Sequence, residues 1–282
     1  MGQKIICNLC QHKNFQEIFR QKESRILKCR NCGLIFRHPQ PSRAEIQKLY
    51  DQKKYLENPY FAGLKKGYTS KNPAVIIYQK ELGKLNKIKK PGRILDLGCA
   101  YGVFLDLARK YGWKTYGVEV ARQSAVYARK NFDLKIFCGT LEEAKFKNNF
   151  FRAMTMWDVI EHLPNPFQTL KEINRILEKN GILLILTIDM ESLIGRLAGL
   201  TSKTKDFLYD FQHTYFFSKR TLQKMLKRAG FRKIETFDTF GAQIKRWHSR
   251  EIPFIFSFGT DLLDILAKST GMDYRQVVIA RK

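Results

Sequence analysis

Residues 93–102 read Arg-Ile-Leu-Asp-Leu-Gly-Cys-Ala-Tyr-Gly, and the apolar stretch Val-Phe-Leu follows directly. The apolar residues around Asp96 predict a buried strand, the segment from Gly98 to Gly102 predicts a tight loop, and residues 103–109 predict a helix. Glycine suits such a loop because it tolerates positive φ and lets a ligand approach the backbone without meeting a Cβ. A strand, a glycine loop and a helix in this order open the nucleotide-binding half of a doubly wound α/β sheet.

An acidic residue ends the next predicted strand, which covers residues 115–118. Glu119 follows the first loop glycine by 21 residues, where a carboxylate can accept hydrogen bonds from both hydroxyls of a ribose. The loop departs from the dinucleotide fingerprint G-x-G-x-x-G, because Ala100 lies between its outer glycines. Asp96 would also repel a pyrophosphate, whereas it suits the ammonium group of S-adenosylmethionine. The pattern therefore favours S-adenosylmethionine over a dinucleotide.

From about residue 75 onward the chain resembles the class I S-adenosylmethionine-dependent methyltransferases, whose loop motif is D-x-G-x-G-x-G. This chain keeps Asp96, Gly98 and Gly102 and has Ala100 in place of the middle glycine. The resemblance implies an α/β fold with a doubly wound, mostly parallel seven-stranded sheet. It also implies that the loop holds the methionine end of the cofactor and that Glu119 holds the ribose.

Two further cofactor contacts are implied by the same resemblance. The family often has an acidic residue after the third strand to bind adenine, and Thr140 stands in that region here. Trp157 ends the predicted fourth strand, where it covers the adenine or the sulfonium or else packs in the core. The segment Asp-Val-Ile-Glu-His-Leu at 158–163 and the motif His-x-x-Phe-Phe-Ser at 213–218 are most similar to ubiquinone-biosynthesis O-methyltransferases.

Four of the six cysteines form two Cys-x-x-Cys pairs near the start of the chain. Their spacing is typical of a zinc ribbon with a tetrahedral structural zinc site. Four thiolates leave no open coordination position, so a catalytic zinc is disfavoured, and disulfides are disfavoured in a reducing compartment. We therefore predict that a structural zinc is bound by Cys7, Cys10, Cys29 and Cys32.

These patterns divide the chain into three regions: a zinc ribbon at 1–38, a helical linker and lid at 39–90, and an S-adenosylmethionine-binding methyltransferase domain at 91–282. Within the last region we expect a substrate lid at 189–217 and an insertion at 241–273. Asn180-Gly181 is expected to end a helix that begins near Pro166, before a buried strand at 182–186. The apolar insertion, preceded by basic residues, either packs on the substrate side or contacts a membrane surface or a partner.

The net charge of +25 is concentrated in residues 1–90 and 199–282, while the middle of the chain is nearly balanced. Such flanks attract nucleic acid, anionic lipid or a phosphorylated substrate, or are simply solvated. No stretch of 18 uncharged apolar residues predicts a transmembrane segment, and the start of the chain does not resemble a secretory signal. A cytoplasmic enzyme is expected.

Methylation of a hydroxyl needs a general base, and histidine is suited to that role near neutral pH. His162 and His213 are the two candidates, because both are expected at the carboxyl edge of the sheet. The favoured acceptor is a hydroxyl of a small molecule, sugar or lipid-linked glycan precursor. Two alternatives stay open: an RNA or ribosome-associated methyltransferase, and a cofactor-binding protein without turnover. The RNA alternative would use the lysines at positions 53, 54, 65 and 66.

Overall fold

The computed structural model describes residues 5–21, 23–42, 45–46, 68–70, 72–192, 213–238 and 275–282. Most of the predicted linker and lid before residue 68, most of the predicted substrate lid at 189–217, and the predicted insertion at 241–273 lie outside these residues. So do Lys53, Lys54, Lys65 and Lys66, the lysines named for RNA contact.

The ribbon is a small antiparallel sheet. Its strands are β1 (Phe15–Gln21), β2 (Ser24–Cys29) and β3 (Ile35–His38). A fourth strand, β9 (Tyr215–Phe216), comes from far along the chain and pairs antiparallel with β3, so that the order is β1-β2-β3-β9. The pairing of β3 with β9 was not predicted from the sequence.

The helix α1 (Pro73–Ile88) precedes the first strand of the central sheet, and the Asn72 side chain caps its first turn. The elements that follow alternate strand and helix as far as β6, after which a second strand follows directly: β4 (Arg93–Leu97), α2 (Val103–Lys110), β5 (Lys114–Glu119), α3 (Arg122–Phe132), β6 (Lys135–Cys138) and β7 (Phe151–Trp157). Strand β4 pairs in parallel with β5 and β7, and β5 pairs in parallel with β6. Most residues of β4 and β7 are apolar and buried because parallel strands are covered on both faces.

The remaining elements complete the sheet. They are α4 (Pro166–Ile176), β8 (Leu177–Ile188), α5 (Lys219–Arg228), β10 (Arg232–Asp238) and β11 (Arg275–Arg281). The seven strands are ordered β10-β11-β8-β7-β4-β5-β6. The predicted fold, a doubly wound, mostly parallel seven-stranded sheet, is confirmed.

The boundary after α4 differs from the prediction. The helix ends at Ile176, and β8 starts at once, so Asn180 with its φ of 60° lies within the strand rather than at the end of a helix. The backbone N–H of Lys282 donates to the Gly181 carbonyl over 3.0 Å, and the Lys282 ammonium donates to the Leu177 carbonyl over 2.8 Å. These bonds from Lys282 provide donors for the carbonyls of residues 177 and 181 in the extended conformation, and so favour a strand there over a helix. A contact with a residue so far along the chain cannot be predicted from the local sequence.

The fold divides into two compact units that do not follow chain order. One unit contains residues 1–41, 158–170 and 185–279, and the other contains 42–157, 171–184 and 280–282. In the first unit the core cluster of Ile26, Met190 and Phe216 joins the ribbon to the segments around β8 and β9. None of the helices in the described ranges is long and apolar enough to cross a membrane.

Candidate functional site

The glycine loop lies in the second unit and is held against β5. Gly98 donates its N–H to the Val118 carbonyl over 2.8 Å. Gly98, Ala100 and Gly102 have φ angles of 73°, 45° and 81°, so all three adopt the left-handed region. A Cβ on Gly102 would stand 2.5 Å from Cδ1 of Leu134, so glycine is needed at this position both for its φ and for space.

Asp96 lies within β4 and is 1% exposed. Its Oδ1 accepts a hydrogen bond from the Thr155 hydroxyl over 2.6 Å. Burial raises the pKa of the Asp96 carboxyl well above its usual value, the Thr155 bond lowers it, and the neighbouring Glu119 raises it further. A positively charged ligand group beside this buried carboxyl would favour its ionised form.

Glu119 connects the end of β5 to the glycine loop. Its Oε2 accepts the N–H of Ala100 and its Oε1 accepts the N–H of Ala121, each over 2.7 Å. Burial raises the pKa of Glu119, while the bonds from the backbone of Ala121 and Ala100 oppose that rise. Three predicted cofactor residues, Glu119, Ala100 and Gly98, are therefore joined around one loop.

Thr140 and Trp157 occupy different surroundings. Thr140 follows β6 and closes a turn with Glu143: its N–H donates to Glu143 Oε2 over 2.8 Å, and its hydroxyl accepts the Glu143 N–H over 3.3 Å. Trp157 is buried, with its ring centroid 4.8 Å from that of Tyr78 and 5.0 Å from that of Phe104. Its indole N–H has no hydrogen-bond partner among the described residues, so it can donate to a ligand.

The two predicted catalytic histidines come together in the first unit. His162 ends a short 3₁₀ turn (Ile160–His162), and His213 precedes β9. Their ring centroids are 4.8 Å apart, at an interplanar angle of 56°. Burial lowers the pKa of His213 well below its usual value, and the positive charges of His162 and Arg37 lower it further. His213 is therefore a neutral imidazole near pH 7, able to accept a proton.

A buried carboxyl group lies beside this pair. Glu161 is 3% exposed, and neither of its carboxyl oxygens has a hydrogen-bond partner in the described part of the chain. Burial and the charge of Asp158 raise its pKa to about 8. The carboxyl and the two imidazoles have their ligating atoms within 4.8 Å of one another. Glu161 and His213 also line a small cavity with Thr187, whose hydroxyl lacks a partner within the same ranges.

The segment around His213 is tied to the turn that carries His162. Thr214 donates its N–H to the Glu161 carbonyl over 2.8 Å, and its single hydroxyl hydrogen is shared between the carbonyls of Glu161 and Leu163, at 2.9 and 3.0 Å. These bonds explain how two histidines distant in sequence become neighbours. Thr214, Glu161 and Thr155 were not identified from the sequence, although Thr155 was visible as a polar residue within an apolar strand.

The four ribbon cysteines converge as their spacing predicts. Cys7 and Cys32 have their sulfurs 3.5 Å apart, as do Cys10 and Cys29, and all four sulfurs lie within 4.8 Å of one another. Sulfurs around a tetrahedral zinc are separated by about 3.8 Å, and none of the four forms a disulfide. The donor set fits a structural zinc.

Comparison with known proteins identifies the family. The model of the methyltransferase domain family matches residues 77–236, more than half of the chain. An uncharacterized protein of Methanocaldococcus jannaschii is 28% identical over 177 residues, which cover 63% of this chain and 82% of that protein. A ubiquinone biosynthesis O-methyltransferase of Glaesserella parasuis is 26% identical over 113 residues, which cover 34% of this chain and 45% of the enzyme.

A solved structure supports the same assignment. An S-adenosylmethionine-dependent methyltransferase of Thermotoga maritima, described as a possible histamine N-methyltransferase, superposes with a TM-score of 0.53 at 25% identity. The match covers 73% of this chain and 89% of that one.

Proposed function

This chain belongs to the methyltransferase domain family and is an S-adenosylmethionine-dependent methyltransferase, and from that premise we propose that it methylates a hydroxyl group. The acceptor is a small molecule, a sugar or a lipid-linked glycan precursor. The observation that carries the proposal is the pair of imidazoles, 4.8 Å apart beside the buried Glu161. A neutral amine attacks through its nitrogen lone pair without first losing a proton, whereas an alcohol is a poor nucleophile until a base takes its proton.

In this proposal Asp96 binds the ammonium of the cofactor, and Gly98, Ala100 and Gly102 line its methionine end. Glu119 binds the ribose hydroxyls. Thr140 and Trp157 contact the adenine side, where the indole N–H of Trp157, which has no partner among the described residues, can donate. S-adenosylmethionine supplies the activated methyl group, and these residues hold it in place.

The base is His213 or His162. One imidazole nitrogen takes the hydroxyl proton, the acceptor oxygen bonds to the methyl carbon, and the carbon–sulfur bond breaks to leave S-adenosylhomocysteine as a neutral thioether. We favour His213 as the base because it lines the small cavity beside Glu161, and its lowered pKa leaves the imidazole unprotonated at neutral pH. His162, beside it, disfavours a premature charge on His213.

The proposal extends to the setting of the enzyme. None of the six cysteines forms a disulfide, which supports a reducing compartment such as the cytoplasm. The ribbon at 1–38 is proposed to carry the structural zinc, the segment 189–217 to act as a substrate lid, and the insertion 241–273 to pack on the substrate side.

Labelled methyl transfer into fractionated cell extract tests the proposal. Purified, zinc-loaded protein is incubated with labelled S-adenosylmethionine, and the RNA, lipid-linked sugar and small-molecule pools are separated. We expect label in a small-molecule or lipid-linked pool as an acid- and base-stable ether, and its loss in His213→Asn but not in His12→Asn, which alters an exposed ribbon histidine. Label in RNA would support the nucleic-acid alternative, and donor binding without any transfer would support a non-catalytic protein.

A further inference from the structure

We propose that Arg37, on the third strand of the zinc ribbon, is a positioning residue for His213. The proposal rests on the proton-accepting role given to His213 above. The two residues are separated by 176 positions in the sequence, yet they belong to the same compact unit. The ribbon would then be part of the acceptor side of the enzyme rather than a separate recruitment module.

The guanidinium of Arg37 connects the ribbon hairpin to the backbone of His213. Arg37 is 5% exposed, and its Nε donates to the His213 carbonyl over 3.2 Å. Its other nitrogens donate to Gln21 Oε1 over 3.1 Å and to the Ser24 hydroxyl. Gln21 ends β1 and Ser24 begins β2, so the planar guanidinium is oriented by two strands before it reaches His213.

The backbone of Arg37 holds the next residue of the same segment. Its N–H donates to the Thr214 carbonyl over 2.9 Å, and β3 then pairs with β9 through Phe36 opposite Tyr215. One ribbon residue therefore binds two consecutive residues at His213, and the strand pairing continues beyond them. A segment bonded in this way has little freedom to rotate, so the direction of the His213 side chain is set by the ribbon.

The same contacts extend to the second histidine. Thr214, whose carbonyl is bound by Arg37, donates to the Glu161 carbonyl through its N–H and its hydroxyl. Glu161 precedes His162 in the 3₁₀ turn. The relative placement of the two imidazoles thus depends on a continuous set of hydrogen bonds that begins at Arg37.

The test compares Arg37→Met, which keeps the aliphatic stem, with Arg37→Lys and with Arg20→Met. Arg20 is a matched control because it lies on β1 of the same ribbon, is 65% exposed, and pairs with Glu17. We expect Arg37→Met to lower kcat by about 10- to 100-fold, as misplacement of a catalytic group by about 1 Å would. The KM for S-adenosylmethionine should be unchanged, Arg37→Lys should restore part of kcat, and Arg20→Met should match the parent protein.

Two readouts do not depend on the acceptor. Nuclear magnetic resonance of the His213 imidazole should show shifted ring resonances in Arg37→Met, and amides 213–217 should exchange faster while zinc content is retained. Folded, zinc-loaded Arg37→Met with unchanged His213 resonances and exchange overturns the proposal, whatever its activity. A normal rate of methyl transfer in His213→Asn would instead refute the assignment of His213 as the base. The His213 resonances and the amide exchange would then still test whether Arg37 positions His213.

A failure of Arg37→Met to fold moves the test to Ser24→Ala and Gln21→Leu. Each removes one oxygen that orients the guanidinium and leaves Arg37 in place. The same displacement of the His213 resonances is expected in both. Its absence from both folded variants overturns the proposal.

Discussion

Replacing Glu119 by glutamine should weaken the binding of S-adenosylhomocysteine by about 10- to 150-fold. The carboxylate accepts two backbone N–H groups, from Ala100 and Ala121, each over 2.7 Å. Hydrogen bonds to a charged acceptor contribute about 1.5–3 kcal/mol each. In the proposed complex the same two oxygens also accept the ribose hydroxyls. Glutamine keeps one carbonyl oxygen but presents an amide NH₂ in place of the other, so one charge-assisted bond to the ribose is lost, and 1.4 kcal/mol corresponds to about tenfold in affinity.

The substitution can reduce the stability of the glycine loop, the affinity of the proposed ribose contact, or both. Thermal unfolding of the free protein reports the loop, because Ala100 and Ala121 are bound by Glu119 before any ligand arrives. Isothermal titration calorimetry with S-adenosylhomocysteine then reports the ribose contact. Because both functions use the same two oxygens, we expect a lower Tm together with weaker binding.

Asp133→Asn is the matched control. Asp133 is exposed at the end of α3, in the same compact unit, and the substitution changes the net charge by the same amount. Its φ of 50° suits asparagine as well as aspartate. The reasoning is refuted if folded Glu119→Gln binds S-adenosylhomocysteine as tightly as the control does.

Three further results are expected. Cys29→Ser should abolish the binding of one equivalent of zinc, measured by elemental analysis. It should also lower the Tm, since metal binding supplies most of the folding free energy of such a ribbon. Retention of zinc by this variant would contradict the predicted zinc site. Gly102→Ala should lower the free energy of unfolding in urea by about 2 kcal/mol or more, because a Cβ at positive φ would meet Leu134. The control Ala100→Gly should leave the free energy of unfolding unchanged or raise it by up to about 1 kcal/mol. Equal effects of the two substitutions would refute the argument. Burial and Asp158 raise the Glu161 pKa from 4.5 to about 8, so the folded protein retains a proton that the unfolded chain releases. Its stability should fall between pH 5 and 8, by at most about 1.4 kcal/mol per unit; Glu161→Gln should flatten this decline, and an unchanged slope would exclude a raised pKa.

The sequence was sufficient to predict the central sheet because local signals there agree with the tertiary structure. The apolar run before Asp96, the glycines of the loop and the acidic end of β5 each occur where the structure needs them. The paired cysteines were equally informative, since two Cys-x-x-Cys pairs leave few arrangements other than a tetrahedral site. These features depend on residues close together in the chain or on chemistry with few alternatives.

The contacts around the histidines could not be predicted in the same way. Arg37 follows an apolar run in β3, and nothing near it in the sequence indicates a bond to His213. Thr214 likewise looks like an ordinary loop residue, although it joins two segments through three hydrogen bonds. Such contacts depend on strand pairing between residues far apart, which periodicity and spacing do not encode.

The pairing of β3 with β9 also has a consequence for synthesis. When residue 38 leaves the ribosome, the strand that completes its sheet lies more than 170 residues further along the chain. At about 5–20 residues per second, the edge of the nascent ribbon stays open for roughly 10–35 seconds. Metal capture can occur early, but closure must await the synthesis of β9, a delay during which a chaperone would be useful.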